Sequence, residues 1–129
     1  MATKIDAMFG FLDWNKSREE QKQGLAWARQ IENLSILIQP IESKSLWHNC
    51  AVVIIEKNDH QLEPYLMQLF EWLKDLNWPG ADLIYERLLT IPVSMLKTPF
   101  DICLKQAVKI NDCAWESVLI DFWKEYKKQ

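Results

Sequence analysis

Residues Trp72–Ile84 read WLKDLNWPGADLI, and the reading of this stretch decides the fold. Pro79 has no amide hydrogen, and its ring holds φ close to the helical value. It pushes Trp78 out of helical conformation and favours a new helix that starts at the proline itself. Upstream, Leu66, Leu69, Phe70, Leu73 and Leu76 form an apolar stripe at helical spacing. Downstream, Leu83, Ile84, Leu88 and Leu89 continue the pattern and stop before Pro92. Asn77 either ends the first helix or caps the second. Trp78 is expected to wedge between the two, and Gly80 and Ala81 are small enough for close approach. The corner therefore predicts a tight αα-hairpin.

The same logic extends in both directions. Ser17-Arg18-Glu19-Glu20 is a capping box, in which the hydroxyl accepts from the first turn and Glu20 reaches back. A helix is expected from about Ser17 to about Glu32, with Asn33 ending it. Leu34–Ile38 is short, β-branched and stopped by Pro40, so a packed loop or one helical turn suits it better than a strand without a partner. Ser43 or Ser45 can cap a helix whose apolar face includes Leu46, Trp47, Cys50, Ala51, Val53 and Ile54. Asn58-Asp59 breaks it, and Pro64 fits a first turn. Val93–Lys97 is expected to be a short separate piece, because Thr98-Pro99-Phe100-Asp101 resembles another helix start. Asn111-Asp112 separates that helix from the last, where Trp115, Val118, Leu119, Phe122 and Tyr126 recur at helical spacing.

The expected fold is all-α: one domain spanning 1–129, with six or seven helices in antiparallel pairs. Trp47, Trp78 and Trp115 recur at intervals that suit stacked helix pairs, so a helical-repeat-like (HEAT-like) arrangement stands beside an irregular bundle. Of the 129 residues, 49% are hydrophobic and 26% charged, enough apolar material for a core. The formal net charge of −3 argues against a nucleic-acid partner and for a basic protein partner. Three cysteines without CxxC spacing argue against a disulfide framework or zinc knuckle, and each is expected to be a buried thiol. MATKIDAMFGFLDWN lacks a sustained apolar core, and no run is long enough to span a membrane. A cytoplasmic protein is the expectation.

Two blocks carry a resemblance. Asp13–Pro40 is DWNKSREEQKQGLAWARQIENLSILIQP, and Leu46–Leu89 contains LWHNCA, LEPYL and WLKDLNWPGA. Together, over half the chain, they resemble a bacterial family of short helical proteins with a W-L-x-D-x-N-W-P-G/V-A corner. The resemblance implies a small helical-repeat-like domain and no catalytic residues. At the level of fold, such small acidic helical proteins are similar to the immunity proteins that bacteria encode beside toxins.

The residues offer little catalytic chemistry. His48 and His60 are the only histidines and lack companions for a metal site, so no cofactor or metal is expected. Cys113 follows Asp112 at a helix start, where the helix dipole and the carboxylate oppose each other. Carboxylates are the more informative group. Glu71/Asp75, Asp82/Glu86 and Asp121/Glu125 are three like-charge i,i+4 pairs, each unfavourable by about a few tenths of a kcal/mol in an isolated helix. A solvated face explains them as readily as an acidic binding surface does. Trp27, Trp72 and Trp123 lie off the main stripes; they fit a wide core, or exposed anchors of the kind enriched in interfaces.

The functional expectation is a non-catalytic protein-binding domain. In its concrete form it is an immunity protein that covers the active site of a cognate toxin, such as a nuclease, with acidic side chains. The expected contact residues are Glu71, Asp75, Asp82 and Glu86, with Trp72 as anchor. A small hydrolase using carboxylates, or a helical scaffold acting through self-association, are the alternatives.

Overall fold

The computed structural model describes residues 4–40 and 43–129. Among these the chain is all-α, with no strand. The helices are α1 (Lys4–Leu12), α2 (Arg18–Ala28), α3 (Trp47–Ile55), α4 (Asp59–Leu62), α5 (Leu66–Glu71), α6 (Ala81–Leu88), α7 (Val93–Lys109) and α8 (Cys113–Lys127). Tighter 3₁₀ turns at Leu34–Leu37, Lys44–Leu46, Glu63–Tyr65 and Trp72–Lys74 link them. One continuous buried cluster draws side chains from α1 through α8.

Local chemistry sets most boundaries. Ser17 and Glu20 form the expected capping box, and α2 starts at Arg18. α2 ends earlier than expected, because Gln30 and Ile31 donate to Trp27 and Ala28 in a tightening i→i+3 turn. Asn33 caps the Leu34–Leu37 turn rather than closing α2. Ser43 accepts from Ser45 and opens the turn into α3. Asn58 does more than break α3: with Gln61 it makes a second capping box. Asn111, at a φ of 59°, turns the chain so that Asp112 can cap α8 through the Trp115 amide.

Several expectations fail. α1 lies ahead of the Ser17 capping box, the first helix start read from the sequence, and it buries Met8, Phe9 and Leu12. α7 runs unbroken from Val93 to Lys109 with Pro99 inside it, so Thr98 caps nothing. An interior proline costs about 3 kcal/mol. Leu96, Phe100 and Cys103 lie on one buried stripe on both sides of it, and burial at about 1.5–3 kcal/mol per large apolar side chain outweighs the penalty. Leu76, placed on the α5 stripe, is 46% exposed, because the helix has already ended.

Of the two architectures expected, the helices make a bundle. α6 packs mainly on α3, α5 lies against α7, and α8 packs on both α7 and the Trp72–Lys74 turn. In a solenoid each repeat would touch only its neighbours.

Two glycines permit the closest approaches. A Cβ at Gly24 of α2 would stand 2.8 Å from the Phe11 carbonyl carbon and 2.9 Å from the Leu12 nitrogen of α1. Gly80 has a φ of 82°, and its Cβ would stand 2.6 Å from the Ala51 Cβ of α3. Asn49, the one buried polar residue among those described, donates to the Leu12 carbonyl at 2.7 Å and to Gln21 Oε1 at 2.9 Å. It thereby satisfies a carbonyl at the end of α1 and ties α1, α2 and α3 together.

Gly24→Ala should lower stability by about 1–3 kcal/mol despite its better helix propensity, because backbone rather than a flexible side chain blocks the methyl. Gly80→Ala should cost about 2 kcal/mol or more, since left-handed backbone strain adds to the clash. Urea melts check both. An unchanged midpoint for either would mean that the facing helix moves aside at little cost.

Candidate functional site

α6 is held from two sides. On one, the Arg87 guanidinium donates to the carbonyls of Ile55 and Lys57 and pairs with Asp59 at 2.8 Å, anchoring α6 to the end of α3. On the other, α8 is fastened along its C-terminal half. The Tyr85 hydroxyl donates to Glu125 Oε2 at 2.7 Å, the Tyr126 hydroxyl donates to the Ile91 carbonyl at 2.5 Å, and the Gln129 amide donates to the Leu89 carbonyl at 2.7 Å. Tyr85 also sets its ring edge-on against Phe122, with centroids 5.4 Å apart.

Between these two helices lies a groove of about 360 Å³. Leu76, Tyr85 and Val118 give it an apolar lining, and Asp82, Glu86, Asp121 and Glu125 are its charged groups. Two of the three i,i+4 acidic pairs thus converge, one from each helix. Tyr85 registers their field. Its phenol is pushed above its ordinary value, first by burial, then by the hydrogen bond to Glu125, and further by the charges of Glu125, Asp121 and Glu86.

The expected contact residues divide accordingly. Asp82 and Glu86 are exposed and line the groove. Glu71 and Asp75 are not a pair on one helix, because the Trp72–Lys74 turn intervenes and Asp75 is extended at a φ of −141°. The Asp75 carboxylate instead accepts from the Asn77 amide at 2.8 Å and shapes the corner. Glu71 is half-buried near Cys103, whose thiol is pushed up to about 12 by burial first and by the Glu71 charge second.

Trp72 is no surface anchor, since its side chain is fully buried. Its indole N–H donates to the Pro79 carbonyl at 3.0 Å, and its ring lies 3.3 Å from where a Gly80 Cβ would be. The WPG corner needs that ring inside. Asp121 and Glu125 were recognisable as a third pair of the same spacing. Their place beside Asp82 and Glu86 depends on α8 crossing to α6, which no local signal announces.

The remaining chemical groups lie apart. Cys50 and Cys103 are buried, but Cys113 is exposed as the first residue of α8, contrary to the expectation of three buried thiols. His60 is exposed, and His48 is half-buried with its ring 6.4 Å from Trp14. Among the described residues no group of three or more His, Cys, Asp or Glu could hold a metal ion. No helix there is long and apolar enough to cross a membrane.

No curated protein and no solved structure matches the chain. A family model does match, over residues 49–128, a span that begins at the buried Asn49, contains the WPGA corner and includes both walls of the groove. The chain belongs to the family described as Domain of unknown function (DUF5071).

Proposed function

We propose that this is a non-catalytic protein-binding domain whose α6–α8 groove receives a basic segment of a partner. The observation that carries this reading is the convergence of Asp82, Glu86, Asp121 and Glu125 around Leu76 and Val118. Like charges gathered on facing helices repel one another, so the arrangement costs the free protein stability. A partner presenting lysine or arginine with an apolar side chain between them would relieve that repulsion and cover Leu76. Rim carboxylates of this kind speed association and confer salt dependence.

The concrete form of the proposal is an immunity protein. A nuclease-like toxin has a basic substrate cleft, and four carboxylates around an apolar strip are suited to occupy it. The three thiols are in keeping with a reducing, cytoplasmic setting for such a role.

Pull-down of the tagged chain from its own host, with washes at low and high salt, is the direct test. One basic protein retained in stoichiometric amount and released by salt is the expected result. Reversing Asp82, Glu86, Asp121 and Glu125 to lysine should then weaken binding at least about tenfold, or about 1.4 kcal/mol, while reversing Asp75 should change little. Equal binding by the two variants would exclude the groove as the contact surface.

A second check needs no partner. The Tyr85 phenol should remain protonated well above its ordinary 10.0, read as the ultraviolet difference between wild type and Tyr85→Phe. Glu125→Gln should lower that titration, because it removes a charge that opposes ionisation while burial persists. The linked stability is present below the unfolded tyrosine value and is lost as pH rises through the higher folded one. An unchanged titration in Glu125→Gln would show that the carboxylates exert no shared field on the groove.

A further inference from the structure

We propose that Trp47 and Trp78 form a binding corner for a quaternary ammonium group, and that Lys44 of the same chain occupies it at rest. The site is separate from the acidic groove. The two indole rings stand at 89° to each other with centroids 5.4 Å apart. The Lys44 ammonium lies over both, 5.8 Å from the Trp47 centroid and 5.5 Å from that of Trp78. The three centres make a nearly equilateral triangle, so one cation lies over both rings at once. Both distances fall within the reach of about 6 Å over which a ring face attracts a cation.

The Trp47 ring and the Trp78 backbone are both held in place. The Trp47 indole donates to the Pro40 carbonyl at 2.8 Å, and its ring meets the buried Trp72 edge-on at 5.9 Å. The Trp78 backbone is clamped by its amide to the Asp75 carbonyl at 3.0 Å and by the Ala81 amide to its own carbonyl at 3.1 Å. The corner therefore exists before any ligand arrives, which limits the ordering cost of binding.

Other lysine–aromatic contacts in the molecule differ in kind. Lys74 covers the single ring of Trp115 at 4.7 Å. Lys97 lies over Trp123 and Phe100, but those rings are stacked at 23° and cannot enclose a cation, and Asp101 holds Lys97 at 2.7 Å. Lys44 is exposed and, among the described residues, makes no ion pair.

The chemistry of the corner favours a cation without N–H groups. A primary ammonium is strongly hydrated and carries three donors, and the indole faces offer no acceptor. A quaternary ammonium has no donor to leave unsatisfied, and its methyl groups can lie directly on both rings.

The test is a titration of the full chain with tetramethylammonium chloride, against sodium chloride at matched ionic strength, following the indole N–H resonances. Wild type and Lys44→Ala are compared. Saturable shifts at Trp47 and Trp78 are expected, with Lys44→Ala binding about two- to fivefold tighter because its internal competitor is gone. Trp78→Leu in the Lys44→Ala background should abolish the shifts while the amide spectrum stays folded. No saturable shift in Lys44→Ala, equal affinity with and without Lys44, or equal shifts at the exposed Trp14 would each overturn the proposal. Choline and a trimethyllysine peptide, as parallel arms, separate the sources. Equal binding of the two assigns a small molecule, and a tenfold gain for the peptide assigns a protein side chain.

Discussion

The close approach of Gly80 to Ala51 is the constraint on which the rest of this molecule depends. With no side chain at position 80, the start of α6 comes within a methyl group's width of α3. The left-handed backbone at Gly80 turns the chain there, and the Trp72 indole closes the corner by bonding to the Pro79 carbonyl. Proline, glycine and the buried tryptophan each meet a different need of one turn. Proline fixes its own φ within the turn, glycine supplies the positive φ and the space, and tryptophan satisfies the proline carbonyl. Arg87 then fixes the far end of α6 to the end of α3.

Once α6 is placed, aromatic packing places α8. Phe122 lies among Phe70, Phe100 and Tyr85, and the Trp115 indole bonds to the Phe70 carbonyl left over where α5 ends. These contacts bring α8 beside α6 even though their facing acids repel. Apolar burial is worth more per residue than a screened surface repulsion costs. An acidic groove can therefore be kept on a stable fold, and a basic partner would gain from the repulsion it relieves.

Several features were legible in residue order because they depend only on near neighbours. The Ser17–Glu20 capping box is a matter of three residues, as are the asparagine and aspartate signals around 58 and 111. The smallness of Gly80 was correctly read as a close approach. Pro99 misled for the same reason. Its local signal announces a helix start, yet the buried stripe of α7 continues through it. α1 was not read from the sequence because its burial depends on α2 offering Gly24. Trp72 could not be told from a surface anchor until the corner was seen to close around it.

The order of residues by itself determined the all-α class, several helix starts and the existence of three acidic pairs, since each of these follows from backbone chemistry or spacing within one or two turns. Tertiary structure alone decided which pairs meet. It joined Asp82 and Glu86 to Asp121 and Glu125, removed Glu71 and Asp75 to other surroundings, and set Trp47 square to Trp78. Residues some 30 to 45 positions apart, on different elements, come together only through the summed packing of the helices between them. That sum is a property of the whole core, and no local segment contains it.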